Sequence, residues 1–465
     1  MSFADDFYAQ SPVWLQNALL SAYGARLRYL RYGRLHQGTL RQLRTTERFS
    51  AAQLNDLQNA ELRALMDRAA ETPLYQQHWR EERKSVEAGD LTKLPLLSKE
   101  DLRRAGRAAV PGSFRGRSLL EIHTGGTTGT PLTVYCTRDA LQRNYAFFSR
   151  FRAWAGVPGH PRVATFAGRL VVPAVQTSAP FWRRNRPGNA MLFSSYHLSP
   201  ATLPAYAEAL AAYQPELIDT YPSSLEPIAK YLDDSGQRLV RPRAIITSSE
   251  TLDPPVRELF QRVFGCPVFD HYGSAEMAAF IAQCEAGSYH PNPEFGIVEV
   301  LRDGRPAEPG ETGELVATGF INPALPLIRY VTGDLATVGE GPCRCGRLFP
   351  VLRSIEGRRD DVLTAPDGRW IGRLDPIFKS VGSIYETRIV QDALDHVRVE
   401  VVPLAGFGPG DEAGLLEQLR GRLGPAMRVE LVQVPSIPRT SRGKFRAVVN
   451  LTRSEEVTAR TRPME

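Results

Sequence analysis

The chain has 465 residues, 42% apolar and 23% charged, with a net charge of +6 at neutral pH, a globular composition with material for roughly two or three hydrophobic cores. That composition excludes fibrous and disordered classes, no run approaches the roughly 18 to 20 apolar residues of a membrane span, and five cysteines make no disulfide framework. The opening MSFADDFYAQSP carries neither a basic leader nor an apolar signal core, which points to the cytoplasm.

In chain order, the first feature is the basic stretch of residues 25–44, where Arg26, Arg28, Arg31, Arg34, Arg41 and Arg44 alternate with leucine and tyrosine. Such a pattern fits a solvated helix face or peripheral contact with an anionic membrane surface. The overall excess is too small and diffuse for its length to imply a nucleic-acid partner. Only six of the 57 basic residues are lysine, so each lysine carries more information than usual. Residues 50–70 open with a capping-box pattern, Ser50 to Gln53, and place Leu54, Leu57, Leu62, Leu65, Met66 and Ala69 near helical spacing. Residues 1–80 thus form a largely helical lead-in.

From about residue 120, short apolar runs end in small or polar residues: RVATFAG, ELIDTYPSS, RAIITSSE and PVFDHYGSAE. Helical patterns, Ala201 to Tyr213 and Pro255 to Phe264, lie between them. Alternation of strand and helix predicts an α/β fold with parallel sheet, whose sites lie at the carboxyl ends of strands. A charged, turn-rich break at residues 356–372 is followed by a strand HVRVEVVP, a helix DEAGLLEQLRGRL and a strand MRVELVQV. The expected organisation is a large domain over residues 1–357, a hinge at 358–361 and a small mobile α+β domain over 362–465.

The segment HTGGTTGTP, residues 123–131, lacks both the spacing and the lysine of a P-loop, and it lacks the dinucleotide fingerprint. Gly125, Gly126 and Gly129 would let backbone N–H groups converge, and Thr124, Thr127 and Thr128 would add hydroxyl donors, so a phosphate cradle and a plain turn are both open. With DHYGSAE (270–276), RYVTGDL (329–335), IEGRRDD (355–361) and IPRTSRGKFRA (437–447) behind it, this loop resembles the ordered motif set of the adenylate-forming superfamily. TYPSSL, TSSETL and the CRCGR segment are most similar to phenylacetate-CoA ligases and their relatives in capsular-polysaccharide clusters, and the likeness spans nearly the whole chain.

The resemblance implies a large N-terminal domain with parallel and mixed sheets flanked by helices, plus a small C-terminal domain. It also implies attack of a carboxylate on the α-phosphorus of ATP, release of pyrophosphate, and transfer of the acyl group to a thiol, with coenzyme A as co-substrate. Lys444 matches the lysine that bridges the two anions, a gap suited to a compact ammonium. Asp334 matches the carboxylate on the ribose hydroxyls, Arg358 the arginine at ribose and phosphate, Asp360 the hinge position, and Glu276 the ligand of Mg²⁺. Ser249, Glu250, Asp270, His271, Tyr272 and Gly273 are placed around the nucleotide with the loop residues 124–129. Many relatives carry lysine before the loop proline, where this chain has Thr130.

Cys284, His290, Cys343 and Cys345 make up the ligand set of a closed tetrahedral zinc site, and the resemblance implies a structural Zn²⁺ there. Phe166, Tyr196 and Tyr221 are candidate walls of an acyl pocket and would suit an aryl or arylacetic acid. Alternatives are an adenylate-forming amide ligase, a carrier-protein loader, or an inactive zinc-stabilised basic binding protein. A homodimer is compatible with all of them.

Overall fold

The computed structural model describes residues 3–79, 91–123, 132–167, 171–173, 175–358, 363–364, 366, 370–371, 383–424, 426–439 and 445–452. Five helices open the chain: α1 (Phe3–Gln10), α2 (Val13–Arg31), α3 (Arg34–Thr46), α4 (Ala51–Ala70) and α5 (Pro73–His78). The capping box predicted for α4 is present: Ser50 Oγ accepts from the Gln53 N–H, and Gln53 Oε1 accepts from the Ser50 N–H. The apolar stripe of α4 buries Leu54, Leu62, Leu65, Met66 and Ala69. Helix α2 is positioned by polar contacts: Asn17 Oδ1 accepts the Arg184 N–H at 2.8 Å. About two turns on, a Cβ at Gly24 would fall 2.1 Å from Asn185 Oδ1, so a larger residue there would displace the Asn185 amide.

After α6 (Lys99–Ala105), β1 (Leu120–His123) and β2 (Thr133–Cys136) pair antiparallel and lead into α7 (Arg138–Trp154). The core of the fold is then laid down as β3 (Val163–Ala167), β4 (Trp182–Asn185), β5 (Ala190–Ser194), α8 (Leu203–Tyr213), β6 (Leu217–Thr220), α9 (Pro222–Asp234), β7 (Ala244–Ser248), α10 (Pro254–Phe264) and β8 (Val268–Gly273). Strands β5, β3, β6, β7 and β8 are mutually parallel neighbours in that order. Helices cover both faces, as parallel strands joined by helical crossovers require. On one face Val163, Leu217, Ala244, Ile246 and Phe269 pack with Phe147 and Phe151 of α7. On the other, Ala164, Phe166, Ile218, Ile245 and Val268 pack against α8, α9 and α10.

The sheet continues antiparallel through β9 (Phe280–Gln283) and β10 (Tyr289–Pro291) to β15 (Leu352–Arg358). It then runs to β14 (Leu327–Val338), β13 (Thr312–Gly319), β11 (Gly296–Arg302) and β12 (Arg305–Pro306). Thirteen strands result, mixed in direction.

Two compact units divide the chain: Met1–Leu252, Val256–Thr332 and Ala336–Ile355 form one, and Asp253–Pro255, Gly333–Leu335 and Glu356–Glu465 the other. Within the second unit, β16 (Leu363–Thr364) pairs with β17 (Trp370–Ile371). Strands β18 (Ile384–Ala393), β19 (His396–Pro403), β20 (Arg428–Gln433) and β21 (Val448–Asn450) form a sheet of order β20-β19-β18-β21. Helix α11 (Pro409–Leu423) connects the parallel pair β19 and β20 and buries Leu415, Leu419 and Leu423 against Ile389, Val397, Val399 and Val401. The strand, helix and strand expected from HVRVEVVP onward are thus present, and β21 adds a strand at the far edge, beside β18.

Candidate functional site

The carboxyl ends of β3, β6, β7 and β8 bring most of the sequence-predicted positions in the first unit together, as expected for a parallel sheet. Beyond β8, Glu276 is 7% exposed and accepts from the Tyr330 hydroxyl at 3.2 Å, with the Lys99 ammonium 3.7 Å away. Backbone pairing places that lysine. Leu97 pairs with the β14 backbone through its N–H to Arg329 O and its carbonyl to Val331 N–H, both 2.9 Å. The Arg329 guanidinium donates to the carbonyls of Thr92 and Leu94, tying down the same segment. Lys99, two residues past that bridge, was not anticipated, and its only signal in the sequence is the scarcity of lysine.

Successive residues of β8 point to opposite faces. Asp270 is buried and accepts from the Thr247 hydroxyl at 2.6 Å and the Tyr289 hydroxyl at 2.8 Å. Burial pushes its carboxyl up to about 6, and those two hydrogen bonds hold it from rising further. Its place in the set around the nucleotide is therefore corrected: the side chain braces β7 and β10 from inside. His271 turns to the α7 face, its ring centroid 5.2 Å from Phe148 and 5.3 Å from Phe151. Burial, followed by the charge of Arg152, lowers its pKa to about 4, so the ring is neutral near pH 7. Tyr272 is half-buried against the core beneath α4 and α5, and Gly273 ends the strand exposed.

Ser249 holds φ at 69°, a left-handed conformation that costs a non-glycine residue energy, at the carboxyl end of β7. Its neighbour Glu250 is engaged within the protein, accepting from Ser223 N–H and Ser223 Oγ, each at 3.0 Å, at the start of α9. Asp334 lies within β14, half-buried.

Of the three aromatic wall candidates, Phe166 is corrected. It is 0% exposed and stacks on Phe193 with centroids 4.6 Å apart, in the core beneath α8 and α9. Tyr221 sits at the N-cap of α9 and donates its N–H to Phe166 O at 3.0 Å. Tyr196 is part-exposed, and its phenol pKa is raised by burial and then by Tyr221.

A second cluster lies in the same unit. One ligand atom from each of Cys284, His290, Cys343 and Cys345 falls within 4.8 Å of all the others. Cys284 Sγ and Cys343 Sγ are 3.6 Å apart, and Cys345 Sγ is 3.4 Å from His290 Nε2. Tetrahedral zinc with bonds of about 2.3 Å to sulfur and 2.0–2.1 Å to nitrogen requires separations of roughly 3.4 to 3.8 Å. His290 Nδ1 lies 3.0 Å from Pro350 O, which fixes the tautomer that leaves Nε2 as a ligand. The geometry and the donor set fit zinc, and four protein ligands leave no open position on it.

Thr124, Gly125, Gly126, Thr127, Thr128, Gly129, Asp360 and Lys444 lie outside the described residues. Arg358 ends β15. No helix among the described residues is long and apolar enough to cross a membrane.

Residues 51–321 match the model of the AMP-binding enzyme family, and residues 363–451 match the CapK C-terminal domain. Protein CapK of Staphylococcus aureus is 26% identical over 456 residues, 95% of this chain and 98% of CapK. Phenylacetate-coenzyme A ligase of Escherichia coli (strain K12) is 28% identical over 294 residues, 60% of this chain and 63% of the ligase. Less than two thirds of that ligase is therefore spanned. Among solved structures, 2-hydroxyisobutyryl-CoA ligase in the postadenylation state with R3-HIB-AMP superposes with a TM-score of 0.68 at 20% identity, covering 89% of this chain and 92% of the ligase. Its open conformation with 2-HIB-AMP and CoA gives 0.51 at 21% identity, over 84% of this chain and 90% of that one. At these identities the likeness is one of fold.

Proposed function

Because the chain belongs to the AMP-binding, adenylate-forming enzyme family, we propose that it activates a carboxylic acid with ATP and passes the acyl group to a thiol, coenzyme A. A carboxylate oxygen of the acid attacks the α-phosphorus, the bond to the bridging oxygen breaks, and pyrophosphate leaves with the electron pair. An acyl-adenylate remains, and the thiol then displaces AMP from it.

The observation that carries the reading is Glu276, a buried carboxylate at the carboxyl-end side of the parallel strands with an ammonium 3.7 Å away. A buried carboxylate needs compensating positive charge, and its hard oxygen donors suit Mg²⁺ arriving with the phosphates. Lys444 supplies charge between the reacting anions, Arg358 steadies the phosphate, and Asp334 accepts the ribose hydroxyls. Zn²⁺ at Cys284, His290, Cys343 and Cys345 would hold the loop of residues 343–345 to β10 and take no part in the chemistry.

The test is acid-dependent exchange of labelled pyrophosphate into ATP. Lys444→Ala is expected to lower exchange by about a hundred- to a thousandfold, as loss of transition-state charge stabilisation does. A folded protein that does not bind ATP would sink the reading. Thioester formed only with coenzyme A present supports the thiol as acceptor, whereas an amide formed from added amine without coenzyme A turns the second step into amide ligation.

A further inference from the structure

The α7 face of the parallel strands changes character along its length. Val163, Leu217 and Ala244 are aligned across β3, β6 and β7, and all three are core. One pleat nearer the carboxyl ends, Thr165 and Asp219 share a row with Ile246 and Phe269. In the next row Ser248 is aligned with His271. Thr165, Asp219, Ser248 and His271 are all half-buried, a polar recess in the sense that each is partly covered and partly open to solvent. From α7 above, Arg152 reaches down with Nη2 3.6 Å from Asp219 Oδ2, and Phe148 presents its ring beside His271.

This lining suits an aryl acid poorly. A ring placed here would strip water from an ion pair and return no hydrogen bond, at a cost that apolar contact does not offset. His271 Nδ1 is already buried without a hydrogen-bond partner among the described residues. With Asp219 ionised against Arg152 the pair carries no net charge, although burial raises the Asp219 carboxyl and Arg152 only partly offsets this. The imidazole is neutral near pH 7 because burial holds its pKa at about 4. A second carboxylate or an ammonium on the substrate would meet a like charge as close as its opposite. The remaining chemistry is a group that both donates and accepts, repeated along a short molecule. Hydroxyls meet that need: each can donate to Asp219, accept from Arg152, or do either with Ser248 and Thr165.

We infer that the acid bound here is a polyhydroxylated carboxylic acid of aldonic or uronic type with no charged group besides its reacting carboxylate, its hydroxyls read by Arg152, Asp219, Ser248 and His271 beside the Phe148 ring. The inference rests on the ligase reading for the reaction, and it replaces the aryl or arylacetic acid expected from the aromatic residues of the sequence.

Two measurements on the full chain test it together. Pyrophosphate exchange is run with gluconate, glucuronate, succinate, phenylacetate and benzoate, and equilibrium binding of gluconate and glucuronate is measured without ATP. Exchange is expected with a hydroxylated acid, and its KM should rise about ten- to a hundredfold in Arg152→Ala and Asp219→Ala, with the KM for ATP unchanged. Because either variant could fold poorly, Asp219→Asn and His271→Phe are carried alongside, the latter expected to keep the fold and shift preference towards apolar acids. Exchange with phenylacetate or benzoate in preference, undisturbed by Asp219→Ala, overturns the inference and leaves the ligase intact. Binding of a hydroxylated acid that needs Arg152 and Asp219 but yields no exchange supports the recess and removes the ligase reading. Neither binding nor exchange with any hydroxylated acid overturns the inference.

Discussion

Two of the four arginines of helix α7, Arg150 and Arg152, lie two residues and about 200° apart around its axis, and they meet opposite circumstances. Arg150 is 2% exposed and its terminal donors are engaged: it donates to Glu294 Oε1 at 2.7 Å and Oε2 at 3.0 Å, to Leu43 O at 3.2 Å and to Asn292 Oδ1, while its Nε has no hydrogen bond among the described residues and lies 3.7 Å from Glu47 Oε1. Burial would raise the Glu294 carboxyl, but Arg150 and the Thr46 hydroxyl outweigh it and hold it below the usual range. Arg152 has a side chain 26% exposed and an ion pair with Asp219 at 3.6 Å, longer than a hydrogen bond. A charge whose terminal donors are spent within the protein holds the fold together. One left loosely paired at the carboxyl ends of parallel strands has donors to give a ligand.

The largest effect that would break this contrast is on stability. Arg150→Met should cost about 3–5 kcal/mol in chemical denaturation, because Glu294 is left buried without its cation. Arg152→Ala should cost less than about 1 kcal/mol, as part-exposed pairs do. If the two variants unfold alike, the Arg152–Asp219 pair is a brace and the recess loses its meaning.

The zinc cluster extends the engaged side of the comparison. Cys343→Ser is expected to lower the bound metal from about one zinc per chain and to cost about 2–4 kcal/mol. That is a fraction of the roughly 10–16 kcal/mol a small zinc domain takes from its ion, since β9 and β10 keep their own pairing. Metal analysis and thermal unfolding report the two effects separately. A full metal content in the variant would remove Cys343 from the ligand set.

The smallest effect concerns pH. The pKa of His271 is lowered to about 4 from 6.5 by burial and Arg152. A base depressed in the folded state contributes stability that is present above 6.5 and lost as pH falls through about 4. His271→Phe should therefore lose about 2 kcal/mol less than the wild type between pH 7 and pH 4, with allowance for the part-exposed ring. Urea midpoints at the two pH values suffice, and parallel loss in both proteins would mean that the ring is solvated.

What could be read from the sequence follows from how local each signal is. The capping box of α4 needs only Ser50 and Gln53, and the alternation of strands and helices needs only short windows. The face of a strand is harder when helices cover both sides, because neither face is marked by polar residues. The sequence around Phe166 therefore points to the acyl pocket although the ring is core beneath α8, while Phe148, on a helix, is the ring beside His271. Asp270 looked available for a nucleotide because it opens the DHYGSAE motif, yet the pleat turns it inward to Thr247 and Tyr289. Arg152 meets Asp219, and Lys99 meets Glu276, only through tertiary pairing that no short window contains.

The first turn of α9 has one more consequence. Pro222 has no N–H, the Ser223 N–H is taken by Glu250, and those of Ser224 and Leu225 close on Tyr221 O. A helix start that faces the carboxyl ends of parallel strands is normally an open berth for a phosphate. Here an internal carboxylate is moored in it, and its negative charge turns away any second anion. If the protein takes a nucleotide triphosphate as proposed, that repulsion would steer it off α9, and the position where it docks would be narrowed by one of the protein's own side chains.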